Sequence, residues 1–457
     1  MNYVMTFKGV KVPIDSLNTN DVKKITTELT VEPTLSDYQQ VQIKYRVYLT
    51  SKNHIYVPRF YFQDVNMVNN TIAEGETINL DFKGKLREST NQLEASSKII
   101  EKLNEDGGSI LSLPTGYGKT TVALHILSKM NTKTLIIVHK EFLLNQWKDK
   151  IKQFLPEARI GQIQGPKVDV YNKDIVIGML QSLSMKDYDA EIFKGFGFTI
   201  IDETHHICSR TFSKIFSKFN TRYILGLSAT LERSDGLTYV LHWFLGKVGY
   251  HTERRNQHHV DVDVIEVKCD EYEKAFPKNR QGTSNMALAI TTLCDISFRN
   301  DLIMSILTKL SNENRKSLLL TDRREHCFVL KSLCDQHFNG NISGLYMGGM
   351  KSHELKESEE KQIIIGTYTL AHEGLDIPSL DSIVLGTPKS NIIQAVGRIL
   401  RETDGKQHEP LIIDLVDKWG PFYYQFRKRK IYYDNTGFRI HSNKTPDNVS
   451  YVFCVEE

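Results

Sequence analysis

The sequence predicts an α/β protein in which two tandem parallel-sheet domains follow a small accessory domain that is α+β or mainly β. Three observations predict it. Short apolar runs rich in β-branched residues alternate with helical stretches, as in parallel strands covered on both faces. The alternation comes in two sets, divided by the polar stretch Glu253-Arg254-Arg255-Asn256-Gln257-His258-His259. The first 83 residues show no such rhythm. The expected boundaries are 1–83 for the accessory domain, 84–252 and 253–440 for the two sheets, and 441–457 for a C-terminal tail.

The strands can be read one by one. In the first set they are Leu135-Ile136-Ile137-Val138, Asp174-Ile175-Val176-Ile177, Phe198-Thr199-Ile200-Ile201 and Tyr223-Ile224-Leu225-Gly226-Leu227. The second set holds Ser317-Leu318-Leu319-Leu320, Gln362-Ile363-Ile364-Ile365, Ser382-Ile383-Val384-Leu385 and Pro410-Leu411-Ile412-Ile413. The charge-dense stretch from Lys351 to Lys361 reads as a solvated helix or loop.

Composition bounds the function. A chain of 457 residues with 40% apolar and 25% charged residues is globular, not collagenous, rod-like or disordered. No run of about 18 apolar residues occurs, so no transmembrane helix is expected. The start, Met1 to Lys8, lacks the basic and apolar segments of a signal peptide. The net charge is +3, from 58 cations against 55 anions, so any case for nucleic acid must rest on local patches. Cys208, Cys269, Cys294, Cys327, Cys334 and Cys454 form no Cys-x-x-Cys pair. Buried reduced thiols of an intracellular protein are expected, with no zinc site.

The strongest local signal is Ser112-Leu113-Pro114-Thr115-Gly116-Tyr117-Gly118-Lys119-Thr120-Thr121, between the apolar segment Ser109-Ile110-Leu111 and a helical pattern. Glycines let successive N–H groups face one anion, and the helix start adds a favourable dipole. Thr115, Gly116, Gly118 and Thr121 would line a phosphate loop. Lys119 would reach the β- and γ-phosphates of ATP, and the Thr120 hydroxyl would hold Mg²⁺. Leu113 stands where the first glycine of the usual pattern falls. A second site closes the strand Phe198–Ile201 with Asp202 and Glu203. Chemistry sits at the carboxyl ends of strands in open α/β sheets. Asp202 suits Mg²⁺, and Glu203 suits a base that orients and deprotonates water.

These residues resemble the superfamily 2 helicases, motors built from two RecA-like domains. The resemblance rests on Asp202-Glu203-Thr204-His205, on Ser228-Ala229-Thr230 and on Gln394-Ala395-Val396-Gly397-Arg398-Ile399-Leu400-Arg401, in the family's order over residues 86–415. The extension Leu231-Glu232-Arg233-Ser234-Asp235-Gly236 resembles the XPB/UvsW-like branch, whose members act on duplex DNA. Tyr346-Met347-Gly348-Gly349-Met350 and Thr369 to Pro378 look like the helicases of large DNA viruses, similar to the poxvirus transcript-release type.

The resemblance implies roles residue by residue. Gln92 would read adenine, and Asp376 would also serve the nucleotide. Gln394 would sense the γ-phosphate or the water. Arg398 and Arg401 would act as arginine fingers, whose planar guanidinium groups suit charge building on a transferring phosphoryl group. Ser228, Thr230, His205 and Gly374 would couple nucleotide state to nucleic acid. His139 and Lys140, Gln181 and Ser182, and Thr367 would hold phosphates without reading sequence.

The expected activity is ATP-driven movement on or unwinding of DNA, in viral transcription or repair. Duplex DNA is the preferred polymer, with RNA or a hybrid as the alternative. The transcription machinery is an expected partner, a monomer the expected state, and the host cytoplasm or nucleus, or the virion, the expected location. Competing readings are an RNA helicase, a duplex translocase that does not unwind, a restriction-complex motor and a non-catalytic clamp. Intact Lys119, Asp202, Glu203, Arg398 and Arg401 argue against the clamp.

The run Phe422-Tyr423-Tyr424-Gln425-Phe426-Arg427-Lys428-Arg429-Lys430-Ile431-Tyr432-Tyr433 fits either a strand-tracking groove or a helix that packs its aromatics and solvates its cations.

Overall fold

The computed structural model describes residues 3–34, 44–62, 67–72, 74–204, 211–219, 221–229, 235–253, 259–338, 341–373, 375, 377–400, 406 and 408–444. The chain forms two compact units, Met1–Glu253 and Arg254–Glu457. Each carries a parallel sheet, so the α/β tandem arrangement is the observed one.

In the first unit an eight-stranded sheet runs in the order Lys167–Asp169, Ile160–Gln164, Ile175–Met179, Thr134–Val138, Phe198–Ile201, Tyr223–Ser228, Gly108–Ser112, Val248–His251. Every pairing is parallel except the hairpin of the first two strands. The continuous apolar runs exist because both faces are covered. Leu135 and Ile137 enter one core cluster, and Ile136 and Val138 enter the other, as the two-residue period of a strand requires. The second cluster gathers Ile99, Leu103, Val122, Leu127, Leu144 and Trp147 from the helices Gln92–Asp106, Lys119–Met130 and Glu141–Phe154.

The opposite face is covered partly by the N-terminal segment. That segment is α+β. Its sheet runs Leu49–Thr50, His54–Val57, Gly9–Pro13, Tyr3–Thr6, Met67–Asn70, with the helix Thr19–Glu28 beside it. Val10, Val12, Leu29, Ile55 and Val57 share one apolar cluster with Ile110, Leu135 and Val176 of the large sheet. A backbone bond ties the segment to the helix Thr238–Leu245 as well: Phe60 N–H donates to Trp243 O at 2.9 Å. The N-terminal segment therefore sits on the eight-stranded sheet within one compact unit.

The second unit holds a seven-stranded, all-parallel sheet in the order Ser343–Tyr346, Ile363–Thr367, Ser317–Thr321, Ser382–Leu385, Leu411–Asp417, Asp261–Val267, Arg439–Lys444. The helices Ser297–Asn312 and Arg324–His337 cover it through Ile303, Leu307, Cys327 and Leu330. The last strand runs four residues past 440. The charge-dense stretch is the helix Ser352–Glu359. The helix Phe422–Thr436 buries Phe422, Phe426, Arg429 and Tyr433 and leaves Tyr424 and Lys428 exposed. Phe422, Phe426 and Tyr433 pack as the second reading of that run expects, whereas Tyr423 and Tyr424 are exposed and Arg429 is not solvated. It is sunk against Asp414 at 2.8 Å. Cys294, Cys327 and Cys334 are buried free thiols, and Cys269 is half-buried. Among the described residues no helix is long and apolar enough to cross a membrane.

Candidate nucleotide site

Four adjacent parallel strands deliver the site: Thr134–Val138, Phe198–Ile201, Tyr223–Ser228 and Gly108–Ser112. Because they run parallel, their carboxyl ends share one edge of the sheet. His139, Asp202 with Glu203, Ser228 and the loop from Leu113 all leave from that edge. The loop is tied to its neighbour, since Leu113 N–H donates to Ser228 O at 3.1 Å.

The loop has the shape its glycines predict. Gly116 and Gly118 have φ of +90° and +82°, which an L side chain resists. A Cβ on Gly118 would also meet Gln92 Nε2 at 2.5 Å. The helix Lys119–Met130 starts directly after it, so the unpaired N–H groups of the first turn face the loop. Lys119 Nζ donates to Leu113 O at 3.1 Å. Thr115, Thr120 and Thr121 are half-buried around it.

Gln92 is buried beneath this loop. Its Oε1 accepts from Arg87 N–H at 2.8 Å, and its Nε2 donates to Tyr117 O at 2.8 Å. Arg87 adds a bond from Nη2 to Gly116 O at 2.9 Å. Gln92 and Arg87 thus brace the loop from below. One N–H and one lone pair of the Gln92 amide remain for a base.

Asp202 is enclosed. Burial, with the Glu203 charge in support, pushes its carboxyl above the usual range. A bond from Trp147 and the charges of Lys119 and His139 oppose that rise. Lys119 and Asp202 are therefore electrostatic neighbours. Trp147 Nε1 donates to Asp202 Oδ2 at 2.9 Å, and Glu203 N–H donates to Oδ1 at 3.0 Å. Glu203 itself holds a φ of +48°, a strained value for a side chain of its size. His139, expected to hold nucleic acid, stands near the same carboxylates. Burial and Lys140 depress its pKa, while Asp202 and Glu203 raise it.

The remaining expected residues fall as follows. Lys140 caps the helix Glu141–Phe154, and burial lowers its ammonium pKa. Gln181 is exposed, and Ser182 Oγ accepts from Gly165 N–H at 2.9 Å, a loop tether. In the second unit Thr367 ends its strand half-buried. Gln394 and Arg398 lie one turn apart on the helix Ile393–Ile399. Arg398 is buried, near enough to Tyr346 for its charge to oppose the rise of that hydroxyl's pKa. His205, Thr230, Gly374, Asp376 and Arg401 lie outside the described residues. The sequence pattern assigns no role to Trp147, which closes the stretch Val138–Trp147 after the strand, or to Arg87, whose Leu86-Arg87 pair is marked only by its spacing to Gln92.

The donors fit a nucleoside triphosphate and a magnesium ion. Gly116 and Gly118 hold left-handed φ, which lets successive loop N–H groups turn toward one anion. Thr120 and Asp202 offer a hydroxyl and a carboxylate, the hard oxygen ligands magnesium takes beside substrate phosphates.

Comparison with known proteins agrees. The family model "Type III restriction enzyme, res subunit" matches residues 85–233, which hold the loop and both carboxylates. A protein of Acanthamoeba polyphaga mimivirus, bearing the name of an ATP-dependent RNA helicase, is 35% identical over 448 residues, 94% of this chain and 85% of its own. The chain belongs to the superfamily 2 helicases of large DNA viruses. As a member of that family this helicase is an ATP hydrolase that acts on nucleic acid. A Sulfurisphaera tokodaii protein named a DNA 3'-5' translocase is 26% identical over 368 residues, covering 70% of the helicase and 80% of that relative. For the fold, a fragment structure titled as an HsdR subunit of a type I restriction enzyme from Vibrio vulnificus matches with a TM-score of 0.54 and 18% identity. It covers 77% of the helicase and 67% of that chain.

Proposed function

We propose that this helicase uses ATP to move along duplex DNA, separating the strands or displacing what is bound to them. The observation that carries the choice of DNA is the sequence Arg233-Ser234-Asp235-Gly236 following Ser228-Ala229-Thr230, the extension of the duplex-acting branch. The likeness to a named DNA translocase supports it.

In this reading Lys119 and the loop N–H groups hold the ATP phosphates, Gln92 meets adenine, and Glu203 takes the proton of the attacking water. Thr120 and Asp202 hold Mg²⁺, which supplies charge neutralisation at the phosphates. Gln394, Arg398 and Arg401 serve the same hydrolysis, as the resemblance implies, and each cycle becomes a step along the polymer. His139, Lys140, Gln181, Ser182 and Thr367 contact the backbone of the strand. The pathway is viral transcription or repair inside the host cell.

A second reading is an RNA helicase, favoured by the name of the mimivirus relative. Steady-state ATPase rates without polymer and with duplex DNA, single-stranded DNA and RNA separate the two. Stimulation by duplex DNA, lost in Lys119→Ala and reduced about 100-fold or more in Glu203→Gln, supports the proposal. Stimulation by RNA alone moves the substrate to the second reading.

A further inference from the structure

The first unit has a second concave site, away from the nucleotide edge. It opens between the N-terminal sheet and the turn Phe212–Ser217, and is a cavity of about 70 Å³. Lys8, Arg46, Arg59 and Lys214 line it, together with Tyr48 and Tyr56. No carboxylate is among its described lining residues. The chain as a whole carries 58 cations and 55 anions, so four cations against no anion is a local departure from balance.

The arrangement is built rather than incidental. Arg59 stays partly exposed as a residue, but its head group is enclosed. Nη1 donates to Thr221 O and Nη2 to Arg222 O, both at 2.7 Å. Carbonyls orient a guanidinium without neutralising it, and among the described residues no carboxylate pairs with Arg59. Burial pulls its pKa down to about 10, the direction expected of an enclosed cation that lacks a counter-charge. Gly107, at φ +76°, makes room for it, since a Cβ there would come within 2.2 Å of Arg59 Nη2.

The exposed rim is also organised. Arg46 lies over the Tyr48 ring at 5.8 Å, and Lys8 over the Tyr56 ring at 5.7 Å. Each aromatic face thus positions a cation at the mouth. The cavity has room for about two water molecules, enough for part of a phosphate group and too little for a nucleotide. A ligand that meets the exposed rim cations Lys8 and Arg46 together must carry negative charge along an extended chain that crosses the mouth.

We infer that this groove holds the sugar–phosphate backbone of the nucleic acid on which the helicase acts, with the phosphates held at its mouth by Lys8 and Arg46. It would give the motor a grip on its track within the same body as the nucleotide loop. That grip does not depend on the strand-end residues expected to touch the polymer. The inference rests on the nucleic-acid motor reading.

Lys8→Glu and Arg46→Glu test it, because both side chains are exposed and neither takes part in the nucleotide site. Arg59→Gln is an additional variant, with its melting temperature measured first. Fluorescence anisotropy of a labelled duplex over a salt series reads binding, and ATPase rate against duplex concentration reads use. The double variant should bind at least 10-fold more weakly, and its affinity should depend on salt with a slope lower by about 2, one unit per lost phosphate contact. Its polymer-free and saturating ATPase rates should match the wild type. Unchanged affinity and slope, with stimulation intact, would overturn the inference alone. Polyglutamate displacing the duplex as well as unlabelled duplex does would also overturn it, in favour of an acidic protein partner. A wild type that binds duplex through these residues but shows no stimulated turnover would keep the groove and sink the motor reading instead.

Discussion

Trp147 Nε1 donates to Asp202 Oδ2 at 2.9 Å, so a tryptophan on the helix after the His139 strand aims the carboxylate expected to hold magnesium. Trp147 is buried in the core of the first unit and cannot swing away. Its N–H is a fixed donor to a charged acceptor, a bond worth about 1.5–3 kcal/mol. The sequence places Trp147 at the end of the stretch that follows the His139 strand, without a role for its N–H. Only the fold turns its polar edge toward the site.

Trp147→Phe keeps most of the ring and deletes the donor. The expected result is an ATPase rate lowered about 10-fold or more, with a raised half-saturating magnesium concentration and a melting temperature within a few degrees of wild type. Magnesium titration of the ATPase checks it. An unchanged magnesium dependence would show that Asp202 is positioned without Trp147.

Gly118 joins two constraints at one atom. Its φ of +82° and the 2.5 Å approach of Gln92 Nε2 both exclude a Cβ. Gly118→Ala should push Gln92 off Tyr117 O and open the loop, at a local cost of about 1–2 kcal/mol. Calorimetric titration with a non-hydrolysable ATP analogue should show affinity reduced about 10-fold or more. Gln92→Ala in the same assay should show a smaller loss. Equal affinity in Gly118→Ala and wild type would mean that the loop is not the nucleotide cradle.

Much of this was legible before any coordinates. Ser109–Leu111 followed by two glycines and Lys119 could only be a strand, a phosphate loop and a helix start, because the spacing itself carries the chemistry. The eight central strands were equally plain, since burial on both faces removes polar residues from them. The edges were not. Asp261–Val267 alternates polar and apolar residues, and Arg439–Lys444 is mostly polar, so neither shows the continuous apolar run that marked the inner strands. Long-range pairings were also out of reach. Nothing in the sequence near Arg59 points to Thr221 and Arg222, more than 160 residues away. Arg429 read as one of four cations in a row, yet its partner Asp414 lies on the preceding strand.

That pair makes a stability prediction for the second unit. Arg429 Nε and Nη2 donate to Asp414 at 2.9 and 2.8 Å, and Tyr433 OH donates to the same carboxylate at 2.8 Å. Asp414→Ala leaves a buried guanidinium without its anion and should destabilise the unit by about 3–5 kcal/mol. Asp414→Leu combined with Arg429→Met removes both charges and should recover most of that loss. Urea midpoints decide it. A double variant no better than the single one would show that the carboxylate is needed for its bond to Tyr433 rather than for the charge of Arg429.

His326 gives the unit a dependence on pH. Its Nδ1 lies 2.8 Å from Thr321 Oγ1, and its Nε2 lies 2.9 Å from Asn300 Oδ1. Asn300 passes the chain on, donating to Cys294 O at 2.9 Å. Burial, and then the Arg299 charge, pull the imidazole pKa down to about 3. In the unfolded chain the ring titrates near its ordinary value of about 6.5. Between those values the unfolded state binds a proton that the folded state refuses. The stability that the neutral ring contributes is therefore complete above about pH 6.5. It falls by up to about 1.4 kcal/mol per pH unit as the pH drops toward 3. His326→Gln cannot titrate, so its urea midpoint should fall less steeply than that of wild type between about pH 6.5 and 4.5. Parallel curves for the two proteins would mean that the ring is already protonated, or already exposed, in the folded state.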